Sequence, residues 1–354
     1  LRGHAEAVEA DRQGRAAADH DHQAAVAGAA PGLRAQATKL RVSTIPIIDV
    51  APLQVAIAKG FFAAEGLEVD TTPIQGGAAG IPALAAGQVQ IAFTNVISTI
   101  LAVKQGLGLE IIANGSNTGD APPDLAGLIA KKGSPLKTGK DFEGKRIAVN
   151  TRNNVIWLYA RAWVRTTGGN PDAVTYLEVP FPQMVDAVRG DRVDAAFVVE
   201  PFMSAGIAAD MQVVAWPYNT VQKGFPVGQY VASKTWIQQN AGVVDKFVRA
   251  YNKGIDWANQ NKKSEEFAKI VSGYTRIPAE QLAKLPLPDY QKVVDPAALE
   301  PVVGEMRRNG MLVPPPPPVP LQRFTHPEPN VLWQMDFMGH QPLRQGRVHP
   351  WSLP

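Results

Sequence analysis

The amino-acid sequence predicts an α/β fold made of two similar lobes, on two observations. Strand and helix patterns alternate from residue 38 to about residue 312, which favours βαβ units and largely parallel sheets. In addition, a helix end, a glycine turn and a buried strand at 83–93 recur with the same length at 187–197. Any α/β protein makes such corners, but their equal length in successive halves of the chain indicates a repeated lobe.

The individual elements follow from hydrophobic periodicity. In the first half we predict a strand at 40–45, a helix at 53–64 closed by Gly66, a strand at 67–70, a helix at 80–86 and a strand at 89–93. Later elements are a strand at 146–149, a helix opened by Asn154, an amphipathic helix at 244–255 and a last helix after Asp295-Pro296. The aromatic residues Trp157, Tyr159 and Trp163 are assigned to the core, with a lining of a cleft as the alternative.

Composition excludes several classes of site. The 354 residues contain no Cys, and the six His lie at 4–22 and 326–349, so residues 23–325 have neither. A catalytic thiol, a Ser-His-Asp triad, a zinc finger and most transition-metal sites are therefore excluded from that span. We expect no cofactor and no metal. The net charge is only +3 without a Lys/Arg run, so no nucleic-acid partner is expected.

The two ends of the chain differ in composition from the rest. Residues 1–37 contain 13 Ala and no aromatic residue, which predicts a disordered leader; Ala35-Gln36-Ala37 resembles a cleavage pattern, so the leader is alternatively a degraded secretory signal. At the other end, Pro314 to Pro318 predicts a stiff extended spacer and a domain boundary.

Two loops follow predicted strands and open helices, at 75–80 and 150–154. The N-terminus of a helix presents free N–H groups and a partial positive charge, so two such ends across a cleft could hold a small anionic or zwitterionic ligand. The alternative is that their Asn, Thr and Gly residues are ordinary caps and turns. From the second loop, Arg152 is a candidate counter-ion for an anion.

Polar residues also stand at strand ends, where ligands of open α/β sheets bind. Glu200 could accept a hydrogen bond from a ligand amine or cap the next helix, and Asp49 is either a helix N-cap or a ligand contact. The complete set of candidate ligand contacts is Asp49, Gly77, Asn95, Asn117, Thr151, Arg152, Asn153 and Glu200.

At 45–53, 58–62 and 65–69 the chain reads IPIIDVAPL, AKGFF and EGLEV. These segments resemble the periplasmic substrate-binding proteins of ABC transporters, of the nitrate/sulfonate/taurine type. DFEGKRIAV at 141–149 and VDAA at 193–196 fit the second lobe of the same family. The resemblance covers about residues 40–310.

The resemblance implies a type II periplasmic-binding-protein fold, in which two Rossmann-like lobes are joined by two crossover strands and close on a ligand between them. Lobe 1 is expected at 38–130 plus 229–312, lobe 2 at 131–228, the leader at 1–37 and the tail at 313–354. The implied protein is a periplasmic monomer that captures a small anionic, zwitterionic or aromatic ligand and delivers it to a membrane permease. A fungal enzyme branch of this fold makes the thiamine pyrimidine with an active-site His and iron, so the His-free span argues for a binder and against an enzyme.

The tail carries a different resemblance. The segment from Arg323 to His340 is similar to the start of the integrase core of insertion-sequence transposases, in which the residue matching Asp336 is the first of three catalytic carboxylates. Two-metal chemistry needs the whole set, so we expect Asp336 to be inert. The alternative is an unrelated Pro-rich tail.

Overall fold

The computed structural model describes residues 36–282, 287 and 290–312. The predictions for the leader and for the tail, including Asp336, lie outside the described residues. Within them the chain forms two five-stranded sheets, one in each lobe, which confirms the predicted α/β fold of two similar lobes.

The first sheet has the order β2-β1-β3-β10-β4. Its strands are β1 (Thr38–Thr44), β2 (Leu67–Pro73), β3 (Ile91–Asn95), β4 (Leu109–Asn117) and β10 (Pro226–Ser233). Strand β1 runs parallel to β2 and β3, whereas β10 runs antiparallel to β3 and β4. The middle strand β3 is buried along its whole length, including the polar residues Thr94 and Asn95 at its end.

The second sheet repeats this arrangement with the order β7-β6-β8-β5-β9. Its strands are β5 (Ala126–Lys131), β6 (Arg146–Val149), β7 (Thr175–Glu178), β8 (Ala195–Val199) and β9 (Met211–Ala215). Strand β6 is parallel to β7 and β8, and β5 is antiparallel to β8 and β9. The two recurring segments of the sequence end in β3 and β8, which hold the same middle position in their sheets.

The chain passes between the sheets at 118–125 and again at 216–225. The predicted boundaries at 130 and 228 differ from this, since they place β5 in the first lobe and the start of β10 in the second. Both are the antiparallel strands of their sheets. An apolar run predicts a buried strand but does not say which sheet will supply its hydrogen-bonding neighbours, so the exact crossing points depended on tertiary pairing.

Thirteen α-helices accompany these strands in the described part of the chain. Those of the first half are α1 (Ala51–Ala58), α2 (Phe61–Ala64), α3 (Gly77–Ala85) and α4 (Val96–Lys104). The second lobe adds α5 (Val155–Thr166), α6 (Phe181–Arg189), α7 (Phe202–Ala208) and α8 (Pro217–Val221). The remaining helices are α9 (Lys234–Gln239), α10 (Ala241–Asn261), α11 (Glu265–Thr275), α12 (Ala279–Leu282) and α13 (Leu299–Arg308).

Two of the predicted helices differ in their bounds. The helix predicted at 53–64 is broken between α1 and α2 because Gly60 has a positive φ of 69°, which no α-helical residue adopts. Helix α3 begins at Gly77, three residues before the predicted start. A Cβ at Gly80 would lie 3.0 Å from Ser43 Oγ and 2.9 Å from the Ile74 side chain. The glycine therefore allows α3 to lie close to the sheet, and it does not mark a loop.

Aromatic side chains fill the core on one face of the first sheet, between the strands and helices α1, α2 and α10. Phe62 stacks on Phe247 with ring centroids 5.2 Å apart, and Tyr230 packs edge-on against Tyr251 at 5.0 Å. Buried aromatic residues of this kind dominate core energetics. Helix α3 covers the other face of the sheet at β3. The residues that follow β1 lie at the end of the sheet that faces the second lobe.

Helix α13 contacts both lobes, although the predicted boundaries place it in lobe 1. Glu305, on α13, pairs with Arg165 on α5 of the second lobe and with Arg308 on its own helix. After this helix, the backbone carbonyl of Met311 accepts a hydrogen bond of 3.1 Å from Lys104 Nζ on α4 of the first lobe.

Candidate functional site

A cavity lies between the two lobes at the carboxyl ends of their parallel strands. Its total empty volume is about 360 Å³. It is lined by Ile45, Ile47, Asp49, Gly77, Phe93, Thr94, Asn95, Asn150, Asn154, Val155, Ile156, Phe181, Val199, Tyr218, Val227 and Gly228. Most of this surface is aliphatic or aromatic, with a small number of polar groups, as is usual for a small-molecule site.

The lobes touch each other around this cavity. The N–H of Ile48 donates to the backbone carbonyl of Glu200 over 2.9 Å, and Gln75 Nε2 donates to the carbonyl of Asn150 over 3.2 Å. With the lobes in contact, the cavity volume of about 360 Å³ lies at the lower end of the range for small-molecule sites. In this arrangement the cavity accepts only a small ligand.

Asp49 supplies the carboxylate of the cavity. Its side chain is only 1% exposed, and burial raises its pKa to about 6, partly offset by a hydrogen bond from the Ser116 hydroxyl. That hydroxyl donates to Oδ1, while Oδ2 has no hydrogen-bond partner among the described residues. The N-cap of α1 is Val50 and no side chain caps this helix. The geometry therefore favours a ligand contact over a cap for Asp49.

The loop that carries Asp49 is held from behind by two tyrosines of the C-terminal segment. Tyr274 Oη donates to the carbonyl of Ile47 over 3.1 Å, and Tyr290 Oη donates to the carbonyl of Ile48 over 3.0 Å. Both phenols are buried, and burial raises their pKa well above the ordinary value of 10.0, so they remain donors. The position of the carboxylate thus depends on residues more than 200 positions further along the chain.

Of the helices that the structure describes, α3, α4, α5 and α6 begin at the cavity. Asn95 caps α4 by accepting from the N–H of Ser98 over 3.0 Å, and Asn154 caps α5 by accepting from the N–H of Trp157 over 3.0 Å. The first N–H groups of each helix have no acceptor within the helix. Together with the helix dipoles, these N–H groups favour an anion at the places where the four helices begin, on both lobes.

Two further hydroxyl groups face the cavity. Thr94 Oγ1 and Tyr218 Oη are buried and have no hydrogen-bond partner in the described part of the chain. Burial and the nearby carboxylates of Asp49 and Asp124 raise the pKa of Tyr218 well above 10.0, so its phenol stays a donor. These hydroxyls can bond a ligand oxygen or a ligand amine.

Three of the eight predicted site residues, Asp49, Gly77 and Asn95, line the cavity. Gly77 is required by close packing, because a Cβ there would lie 2.8 Å from Thr94 Cα and 3.0 Å from Asn95 N. Asn95 uses both of its amide atoms on Ser98. It therefore orders the start of a helix, and only its second N–H and the second lone pair of its oxygen are left for a ligand.

The other five predicted residues lie outside the lining. Asn117 accepts from Asn114 Nδ2 over 2.7 Å, and Thr151 Oγ1 accepts from Asn154 over 2.7 Å. Arg152 points away, with its guanidinium donating to the carbonyl of Tyr176 over 2.7 Å, so it is not a counter-ion in the cavity. Asn153 is exposed and has a φ of 54°, which places it in the turn before α5.

Glu200, the fifth of them, precedes Pro201, the N-cap of helix α7, and its side chain bonds the first turn of that helix. Its two carboxylate oxygens accept from the N–H and the hydroxyl of Ser204, over 3.0 and 2.8 Å. Burial raises its pKa to about 7. The geometry therefore favours the helix-capping alternative over an interaction with a ligand amine.

The candidate list lacked several cavity residues. Tyr218 lies on α8, in the second passage between the lobes, and no pattern in the sequence marks it as a site residue. Asn150, at the end of β6, belonged to a candidate loop and could have been chosen by the same argument as Asn95. The aromatic residues of α5 lie outside the lining. Tyr159 and Trp163 are buried in the core, as assigned.

The described residues offer neither a metal site nor a membrane span. They contain no group of three or more His, Cys, Asp or Glu side chains that could hold a metal ion. In the same part of the chain, every helix is too short or too polar to cross a membrane.

Comparison with known proteins identifies relatives of this chain. The profile of the family described as "NMT1/THI5 like" matches residues 47–264. The chain is 24% identical over 265 residues to the nitrate/nitrite binding protein NrtA of Nostoc sp. PCC 7120, covering 70% of this chain and 60% of the relative. It is 33% identical over 248 residues to the riboflavin-binding protein RibY of Chloroflexus aurantiacus, covering 66% of each.

A third relative is matched over more of its length. The taurine-binding periplasmic protein of Escherichia coli is 26% identical over 287 residues, covering 74% of this chain and 86% of that protein. Among solved structures, the periplasmic aliphatic sulphonate binding protein SsuA of Escherichia coli superposes with a TM-score of 0.64 at 16% identity, covering 78% of this chain and 94% of SsuA. At that identity the likeness shows the fold alone, which is the two-lobed fold of periplasmic binding proteins. The chain therefore belongs to the NMT1/THI5-like family.

Proposed function

We propose that this protein is the solute-binding receptor of an ABC importer and that its ligand is a small zwitterion of the taurine type. The observation that carries the proposal is the polarity of the cavity, which combines a buried carboxylate with four helix N-termini. In this proposal the protein works in the periplasm as a monomer and delivers its ligand to a membrane permease.

The carboxylate argues for a positively charged group on the ligand. Asp49 is buried, and its Oδ2 has no partner in the described residues. An ionised carboxylate without a partner is strongly disfavoured in such a site. A ligand ammonium would bond Oδ2 and would lower the pKa of Asp49 from about 6 towards its ordinary range. Binding of an amine is thus favoured at neutral pH.

The helix N-termini argue for an anionic group on the same ligand. Each helix start contributes roughly 0.3–1 kcal/mol to a nearby anion, and up to about 2 kcal/mol where it is partly buried. Within the described residues no Lys, Arg or His side chain lines the cavity. A simple anion would therefore meet Asp49 without any compensating cation, which disfavours nitrate and bicarbonate as ligands relative to a zwitterion.

Size supports a small ligand as well. The cavity volume of about 360 Å³ lies at the lower end of the range for small-molecule sites, which favours a small ligand over one with the three fused rings of riboflavin. Taurine has seven non-hydrogen atoms and needs only a modest separation of the lobes. Several charge-assisted hydrogen bonds and the apolar wall would be sufficient for micromolar binding, about −8 kcal/mol.

Titration calorimetry on the full chain at pH 7.5 tests the proposal with taurine, ethanesulfonate, which lacks the amine, and ethanolamine, which lacks the sulfonate. We expect taurine to bind at least tenfold more tightly than either fragment. Asp49→Asn should weaken taurine binding by at least tenfold because the neutral amide loses the charge–charge attraction. The matched control is Glu200→Gln, which neutralises a second buried carboxylate outside the cavity and should leave the affinity unchanged.

Two outcomes of this experiment would contradict the proposal. Absence of taurine binding would reject a taurine-type zwitterion as the ligand. Alternatively, ethanesulfonate could bind as tightly as taurine and Asp49→Asn could have no effect, which would leave the carboxylate without a role in recognition.

We further propose that the protein binds its ligand without converting it. Residues 23–325 include neither His nor Cys, the side chains on which an enzyme resembling the thiamine-pyrimidine synthases would depend. Prolonged incubation of bound taurine, followed by NMR of the released ligand, should return it unchanged. A new product that forms in proportion to protein concentration would instead support the enzyme.

A further inference from the structure

Three buried polar side chains form a row across the first sheet, next to the cavity. Gln229 on β10 is paired in register with Thr94 on β3 and with Asn114 on β4. Residues directly opposite each other on neighbouring strands project their side chains from the same face of a sheet. We call these three residues the polar row. All three are 0% exposed.

The polar row has an unusual number of unsatisfied atoms. Thr94 Oγ1, both amide atoms of Gln229 and Asn114 Oδ1 have no hydrogen-bond partner in the described part of the chain. Buried polar side-chain atoms nearly always have a partner, which is protein or ordered water. Four such atoms on adjacent strands therefore indicate that small polar molecules bind along the row.

The row is joined to the cavity at one end and to protein at the other. Thr94 lines the cavity, as does Gly228, the neighbour of Gln229 in the chain. At the opposite end, Asn114 Nδ2 donates to Asn117 Oδ1 over 2.7 Å and to the carbonyl of Gln291 over 3.1 Å. Water molecules bound along the polar row would therefore lie next to the ligand cavity at the Thr94 end.

Gln229 is the central residue of this arrangement. Its amide carries two N–H donors and an acceptor oxygen, and neither amide atom is bonded within the described residues. A polar but uncharged side chain at this place can bond water without adding a charge next to the cavity that Thr94 and Gly228 line. The hydroxyl of Thr94, which is next to Gln229 in the sheet and lines the cavity, can bond a water on the row as well as the ligand.

We propose that the polar row is a hydration subsite continuous with the ligand cavity, and that Gln229 sets ligand affinity by holding the water molecules that the polar end of the ligand contacts. The water site stands on the buried row itself, whereas the role in affinity rests on the proposed function. A hydrogen bond through an ordered water is nearly as favourable in enthalpy as a direct one, and immobilising the water costs at most about 2 kcal/mol. Such a subsite is therefore compatible with tight binding.

The test compares the wild-type chain with Gln229→Met, which keeps the length of the side chain and removes its polar atoms. A crystal structure of the unliganded wild-type protein should show ordered waters within hydrogen-bond distance of Gln229, and the variant should lose them. Taurine should bind about tenfold more weakly to the variant, which is the loss expected for hydrogen bonds to a charged group. If Gln229→Met does not fold, Thr94→Val removes one group of the same row with little change of shape.

Tyr176→Phe is the matched control, because it removes another buried, unpartnered hydroxyl of the described residues, on the second sheet and outside the cavity lining. It should leave taurine affinity unchanged. Absence of water beside Gln229 in the wild-type density would overturn the subsite. Waters in place with unchanged taurine affinity of Gln229→Met would overturn the role in affinity. A wild-type protein that does not bind taurine would reject that role and the proposed ligand together, while the density would still decide the water site.

Discussion

Replacing Asp49 by Asn should stabilise the unliganded protein at neutral pH while it removes ligand affinity. The pKa of Asp49 is about 6 in the folded protein, because of burial, and 3.8 when unperturbed. At 1.36 kcal/mol per pKa unit, this difference corresponds to about 3 kcal/mol of unfolding free energy that the ionised carboxylate takes away at pH 7.5. Asn has the same shape, and its Oδ1 can still accept from Ser116.

The pH dependence is the specific part of this prediction. The folded state binds the Asp49 proton more tightly than the unfolded state, so the wild type has its full stability below about pH 3.8 and loses stability as the pH rises through 6. The variant lacks this loss. About 2 kcal/mol of the difference between the two proteins should therefore develop between pH 4.5 and pH 7.5.

Urea unfolding of both proteins over this pH range measures the difference, because the titration of groups that do not interact with Asp49 cancels between them; Asp124, which does interact with it, contributes a smaller part. The quantity to compare is the change with pH in the difference in unfolding free energy between the two proteins. A part of that difference that does not vary with pH reflects how well the Asn side chain packs and hydrogen-bonds at this position. A stability difference that stays constant from pH 4.5 to pH 7.5 would refute the raised pKa. A decrease in the relative stability of Asp49→Asn with rising pH would refute the sign of the argument.

Three further predictions concern groups around the cavity. Glu200→Gln should gain stability relative to wild type as the pH rises from about 4.5 through 7, because burial raises the pKa of this carboxyl to about 7; urea unfolding at pH 5 and pH 8 would show it, and an equal difference at both would count against it. Gly77→Ala should lose about 1–3 kcal/mol of unfolding free energy and bind taurine more weakly, because the new Cβ meets backbone atoms of β3. The control is Gly273→Ala, whose Cβ meets no heavy atom of the described residues within 4 Å and which should be stabilised by about 0.5–1 kcal/mol. A similar response of both variants would reject the packing argument. Asn154→Ala should lose about 1 kcal/mol through the cap of α5, whereas unchanged stability in urea would show that the cap is replaceable.

The α/β architecture could be predicted from local patterns, for reasons that particular segments make clear. Strand β3 begins with the apolar residues Ile91, Ala92 and Phe93, and this part of the strand is predictable without any partner. Likewise Gly66, with a φ of 73°, ends its segment for a local steric reason. In contrast, β5 and β10 are antiparallel strands that enter their sheets after each passage between lobes, and the same apolar run would suit either sheet.

The candidate site divides along the same line. That a helix begins after Asn154 follows from a short-range signal, since a cap acts within one turn, whereas the start of α3 at Gly77 and the helix capped by Asn95 were not predicted. The direction of Arg152 and the bonding of Glu200 to Ser204 did not follow, because a polar side chain at a strand end can turn to the ligand or to its own neighbours.

By itself, the sequence determined that the body of this protein is a two-lobed α/β unit without His or Cys chemistry, because periodicity and composition are properties of the local chain. Only the tertiary structure decided which polar groups meet in the cavity. It placed Asp49 against Ser116 and near Tyr218, and left Oδ2 of Asp49 without a partner in the described residues. Burial and the satisfaction of hydrogen bonds depend on residues distant in the chain, so the charge pattern that suggests a zwitterionic ligand emerges only when the lobes come together.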